Sequence, residues 1–158
     1  MGKQKGFSLI ELLIVVTVIL IISAMAVPNF LRSRMHANEA SAVASLRTIN
    51  TAAITYSITY PDLGFPAQLT TMGGANPCLT ASSTQACLID GTLSQGNKSG
   101  YNFVWTGDGA VPSFSFIITG TPQVVGGSGQ LMYCTDQTGM IHYDPTGSGC
   151  TNASLVLQ

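Results

Sequence analysis

The chain has 158 residues, a formal charge of −1, 46% hydrophobic residues and only 8% charged ones, where an ordinary soluble domain carries about 25% charged residues. So few Lys and Arg argue against nucleic acid as a specific ligand, because phosphate binding needs clustered cations. So much apolar content argues against an intrinsically disordered chain.

The apolar residues are concentrated at the start. Residues 7–27 read FSLIELLIVVTVILIISAMAV, with Glu11 as their one charge. At about 1.5 Å per residue such a helix is roughly 30 Å long, the thickness of one bilayer core. Lys3 and Lys5 precede it and keep the N-terminus cytoplasmic. Residues 1–60 carry Lys3, Lys5, Arg32, Arg34 and Arg47 against Glu11 and Glu39, a net +3. Residues 61–158 carry Lys98 against five aspartates, a net −4. The chain is polarised into a basic, membrane-inserting start and a weakly acidic remainder across the membrane. A cleaved secretory signal is the alternative, since Ala24-Met25-Ala26 has the form of its cleavage site. A carboxylate in the apolar run is costly in such a signal, and the helical pattern continues past residue 26.

Residues 28–60 become amphipathic. Leu31, Met35, Ala42, Leu46, Ile49, Ala53, Tyr56 and Tyr60 recur at helical spacing and form one apolar stripe. Arg32, Arg34, Asn38, Glu39, Ser41, Ser45, Arg47, Asn50 and Thr51 lie between them and read as a solvated face. Pro28 removes one backbone bond without ending the helix. Stop signals come together at Pro61-Asp62-Leu63-Gly64-Phe65-Pro66. Residues 7–60 therefore read as one helix about 80 Å long.

Residues 61–98 have few periodic signals and read as a long connecting loop. Residues 99–145 then carry strand signals. Tyr101, Phe103 and Trp105 alternate in one strand, and Phe114, Phe116 and Ile118 in a second that ends before Pro122. Leu131–Tyr133 and Met140–Tyr143 flank the turn Asp136-Gln137-Thr138-Gly139. The expectation is α+β: a long N-terminal helix on an antiparallel sheet of three to four strands, whose one apolar face is covered by the helix stripe. The aromatics are most simply core. Cys78, Cys87, Cys134 and Cys150 lie in the exported part, where disulfides form. Three pairings are open, and locality favours Cys78 with Cys87 and Cys134 with Cys150.

Glu11 stands out physically. A lone intramembrane carboxylate needs a partner. The chain offers no cation within a helical turn or two on the same face, so the partner has to be a cation brought beside it, within the helix or on a neighbouring subunit. Such a pair would neutralise two charges and set axial register.

Gly6-Phe7-Ser8-Leu9-Ile10-Glu11-Leu12-Leu13-Ile14-Val15-Val16, with Pro28 at the family's proline position, resembles the N-terminus of type IV pilins and of the related type II secretion pseudopilins. Those families often place a glycine where this chain has Leu20. The resemblance implies the pilin fold: a leader of residues 1–6, a helix whose residues 7–27 serve as membrane span and then filament core, and a globular head over residues 61–158 with a disulfide-closed loop at 134–150. It implies cleavage between Gly6 and Phe7 by a prepilin peptidase and N-methylation of Phe7, with Phe7, Glu11 and Pro28 acting in assembly. It also implies an inner-membrane precursor, a helical homopolymer that becomes an extracellular filament, an assembly ATPase and a platform membrane protein as partners, and adhesion, twitching motility or DNA uptake as output. A pseudopilin is the nearest alternative, and a secreted or singly anchored binding protein the next.

No enzyme is expected and no cofactor. His36 reads as a solvated helix residue and His142 as a strand residue, with no phosphate loop or nucleophile elbow in the sequence. Cysteine and histidine spacings do not fit zinc, so no metal site is assigned. Asp136 and Asp144 stand beside glycines, where pseudopilins bind calcium, but turn-capping aspartates explain them more simply. Asn97 and Asn152 begin sequons, a weak pattern.

Overall fold

The structure is a computed structural model, and it describes residues 6–74, 77–147 and 149–157. Most of the expected leader, residues 1–5 with Lys3 and Lys5, lies outside the described residues. The chain divides into two units, one ending at Arg34 and the other beginning at Met35.

Helix α1 spans Leu9–Thr59 with Pro28 inside it. The apolar run favours a helix here because it contains no glycine, and because a helix satisfies every backbone group within one segment. In the turn beside Pro28, the Asn29 side-chain amide donates to the Met25 carbonyl at 3.2 Å. Throughout Phe7–Leu31 the large apolar side chains are exposed in the single subunit, from 46% at Val16 to 81% at Phe7.

The second unit is built on one antiparallel sheet of six strands in sequential order, β1 (Asn97–Lys98), β2 (Tyr101–Gly107), β3 (Phe116–Pro122), β4 (Met132–Asp136), β5 (Ile141–Asp144) and β6 (Leu155–Val156). The sheet is wider than the three to four strands expected. Its extra members are the two-residue edges β1 and β6, which exist by pairing with β2 and β5 and carry no periodicity of their own. The segment expected as a plain connecting loop also holds order: a 3₁₀ turn at Leu69–Met72, a short helix α2 at Gly91–Ser94 capped by the Asp90 carboxylate on the Leu93 N–H (2.8 Å), and β1 itself. The second strand starts at Phe116, later than expected, and reaches Pro122.

Alternation decides the core. Tyr101 and Phe103 of β2, Phe116 and Ile118 of β3, Tyr133 of β4 and Ile141 of β5 form one face of buried residues. Ala42, Leu46, Ile49, Ala53 and Tyr56 of the α1 stripe join them in the same cluster, except that Tyr56 closes its end through a hydroxyl bond to the Ser83 carbonyl. Burying one such large apolar side chain contributes roughly 1.5–3 kcal/mol. Gly120 on β3 admits the helix and the aromatic layer together, since a Cβ there would press on Phe103 and approach Leu46.

The remaining segments close the other face of β4. Cys134, Asp136 and, across the ladder, His142 point away from α1. The tail covers them: Cys150 is bridged to Cys134, the Asn152 amide donates to Asp136 Oδ2 at 2.6 Å, and the Ser154 carbonyl accepts from His142 Nδ1 at 2.9 Å. A carbonyl can only accept, which makes Nδ1 the protonated ring nitrogen. His142 is therefore buried beneath the tail.

Candidate functional site

The site is the N-terminal end of α1. Gly6, Phe7 and Ser8 precede the helix and are exposed, and a side chain at Gly6 would meet nothing within 4 Å. The Gly6–Phe7 bond is thus accessible and outside helical geometry. Ser8 takes the N-cap place: its carbonyl accepts from the Glu11 N–H (3.1 Å) and Leu12 N–H (3.3 Å), and its own N–H donates to Glu11 Oε2 at 3.0 Å. This is the carboxylate half of a capping box, in which a Glu at the third helical position returns to the cap residue's N–H. The pattern Ser8-x-x-Glu11 was visible in the sequence, yet its capping meaning was missed beside the intramembrane charge. The consequence is that Glu11 already holds one backbone donor within the subunit, one peptide unit from the Phe7 nitrogen.

Beyond Glu11 the surface is apolar on every side. Thr17 is the first hydroxyl after it, and its Oγ1 donates to the Leu13 and Ile14 carbonyls at 3.1 and 2.8 Å. Such back-bonding satisfies the Thr17 hydroxyl within the helix. The segment offers its surroundings one ionisable group and a continuous hydrocarbon surface.

In the second unit, polar helix residues expected to be solvated are buried instead. Glu39 is only 8% exposed. Its Oε1 accepts the Gln130 N–H (2.8 Å) and Leu131 N–H (3.3 Å), and its Oε2 contacts His36 Nδ1 at 3.1 Å. The Asn50 amide donates to the Asp136 carbonyl at 2.6 Å, and the Asn38 amide to the Ser128 carbonyl at 2.8 Å. These side chains rivet α1 to the loops that enter and leave β4, while Ser45 turns its hydroxyl back to the Ser41 carbonyl. The partners lie some ninety residues away, so helical periodicity alone gave no signal of them.

The four cysteines form two bridges, Cys78 with Cys87 (Cα–Cα 6.1 Å) and Cys134 with Cys150 (Cα–Cα 5.7 Å). Asp136 acts as a turn residue: Oδ1 accepts from the Thr138 N–H (2.8 Å) and hydroxyl (2.5 Å). Asp144 similarly holds the Thr146 and Gly149 N–H groups. Among the described residues no three His, Cys, Asp or Glu side chains converge as metal ligands. His36 and His142 have separate partners, Glu39 and the Ser154 carbonyl. An open groove of about 520 Å³ lies by the α1 end between Phe65, Pro66, Ser83 and Val111, with no charged residue in its lining.

Residues 1–27 match the family model described as the prokaryotic N-terminal methylation motif. The chain is 40% identical over 50 residues to the type IV major pilin protein PilA of Myxococcus xanthus, a match covering 32% of this chain and 23% of that one. It is 48% identical over 46 residues to the type IV wide pilus major component PilA4 of Thermus thermophilus, covering 29% of this chain and 35% of that one. The matched stretches thus span about a quarter and a third of the length of these relatives. No solved structure matches the chain.

Proposed function

We propose that the chain is a type IV pilin, the structural subunit of a filament polymerised from the inner membrane. One observation carries this reading: a 51-residue helix that leaves its whole apolar first half exposed and is capped at its start by Glu11, beside an accessible Gly6–Phe7 bond. Exposed hydrocarbon on that scale needs a covering solvent, which lipid supplies before assembly and other copies supply after it. A prepilin peptidase cuts after Gly6, and Phe7 is N-methylated. The freed amine then answers Glu11 of a neighbour, and Pro28 eases the helix out of the bilayer. The contact is heterologous and does not close, which is the geometry of fibres. An assembly ATPase and a platform membrane protein drive the extraction, and the filament serves adhesion, twitching motility or DNA uptake. The match of the first 27 residues to the methylation motif supports a prepilin-type subunit, and the likeness of the N-terminal third to two major pilins favours a pilin over a pseudopilin.

N-terminal sequencing of the mature chain, paired with shearing of intact cells, tests it. The expected result is a start at methylated Phe7 and filaments built of this subunit. A start at Val27 would identify a conventional secretory signal and overturn the reading.

A further inference from the structure

Resting on the filament reading, we infer that Asp62 of one subunit forms an intersubunit ion pair with Arg32 and Arg34 of another. The inference comes from an inventory of the few charges in this chain. Of the carboxylates in the unit from Met35 onward, Glu39 holds the Gln130 and Leu131 N–H groups and Asp90 holds Lys98 (2.9 Å) and Leu93. Asp108 accepts from the Ala110, Phe114 and Ser115 N–H groups, Asp136 from Thr138 and Asn152, and Asp144 from Thr146 and Gly149. Among the described residues, Asp62 alone of these carboxylates has neither a hydrogen bond nor an ion pair, and it is exposed. Arg32, Arg34 and Arg47 are also exposed and unpaired among the described residues, and of the three only Arg32 and Arg34 adjoin the exposed apolar helix.

The two arginines follow directly on the exposed apolar helix, within a turn of Leu31. Any covering of that helix by other copies takes the arginines out of water too. Before assembly, guanidinium groups at the end of a span reach lipid phosphates at the membrane–water interface. Extraction into a filament removes those phosphates, and a desolvated cation without a partner is strongly unfavourable. The partner must then come from another copy, and Asp62 is the carboxylate left over. It is also well held. The turn Pro61–Gly64 carries Leu63 and Gly64 N–H bonds to the Tyr60 carbonyl, and the Leu63 carbonyl accepts from the Ser113 N–H at 2.9 Å. A carboxylate on a braced turn loses little freedom on pairing, which favours a defined register between subunits.

Charge exchange in the full chain tests this, with wild-type filaments as the reference. Asp62→Arg, and separately Arg32→Asp with Arg34→Asp, should lose most of the sheared filament yield, while processed subunit remains in the membrane. Combining all three substitutions should restore filaments. The milder pair Arg34→Cys and Asp62→Cys, treated with a short bis-maleimide, should give covalently linked subunits from filaments and none from unassembled membrane subunit. Wild-type yield from Asp62→Arg, no rescue by the combined exchange, or unlinked cysteine filaments would overturn the pairing. So would Arg32→Gln with Arg34→Gln that impairs only insertion, since the arginines would then serve headgroups alone. Absence of filaments from the wild-type chain overturns the filament reading itself, whereas filaments indifferent to Asp62 overturn the pairing only.

Discussion

Leu20 and Leu46 are leucines of the same helix, yet one is 63% exposed and the other fully buried. The first belongs to a unit that has no core of its own, the second to a unit whose core it helps to form. The contrast extends to polar groups. Before Arg34 the helix has a single carboxylate, spent on its own N-cap. After Met35, helix side chains reach across to loops around β4. One part of the chain leaves its apolar surface uncovered, and the other completes itself. Secondary structure, then, does not tell which environment a segment is made for; the distribution of satisfied groups does.

The sharpest way to break the comparison is at Glu11. Glu11→Val removes the one charge of the self-insufficient unit; subunit insertion should persist while filament yield is lost, as measured by shearing and immunoblotting. Next comes the leucine pair. Leu46→Ala should destabilise the head by about 2–5 kcal/mol through transfer and cavity costs. Leu20→Ala should leave the stability of the detergent-solubilised subunit unchanged, and denaturant titration of both variants compares them directly. Replacing Cys134 and Cys150 together by Ser opens a loop of 16 residues and should cost about 3 kcal/mol in the same titration. Glu39→Ala removes the carboxylate that accepts the part-buried Gln130 and Leu131 N–H bonds and should cost roughly 1–3 kcal/mol.

The smallest effect concerns pH. Burial, followed by the charge of Glu39, pushes the Tyr133 hydroxyl up to about 12, and Tyr101 is raised by the same causes. The native state then keeps protons that the unfolded chain has released. Stability from these groups is complete below the ordinary tyrosine value near 10 and falls as pH rises from there toward 12. Thermal unfolding followed between pH 9 and 12 should show this decline, and Tyr133→Phe should flatten it.

Much of this was legible in the sequence. The apolar run, its charge and the Leu46–Ile49–Ala53 stripe announced the helix and its two halves, because a 3.6-residue period needs no knowledge of the rest. The Asp136–Gly139 hairpin announced itself too: Gly139 has φ +76° and returns its N–H to the Asp136 carbonyl. Legibility failed where long-range partners decide. Glu39 and Asn50 read as solvated because their acceptor and donor backbones arrive only with the topology. Phe114 read as strand by alternation, yet it is 73% exposed. Asp108 takes the Phe114 and Ser115 N–H groups at 2.9 and 3.0 Å, and so delays the ladder until Phe116. These hydrogen bonds hold the Asp108 carboxyl far below its usual range. The Ser8–Glu11 cap was legible and was overlooked, since membrane chemistry offered Glu11 a more conspicuous role.

The fastening of the tail has a further consequence. Chain ends ordinarily fray first, and opening spreads inward from them. Here Cys150, Asn152 and Ser154 are tied to Cys134, Asp136 and His142, residues of strands β4 and β5 inside the sheet. The segment Cys150–Ser154 therefore cannot peel away on its own. A protease or a pulling force acting on it meets the middle of the sheet at once, and the head resists or yields as a whole. In the filament proposed above, the durability of the subunit is then set by the unfolding barrier of the entire head.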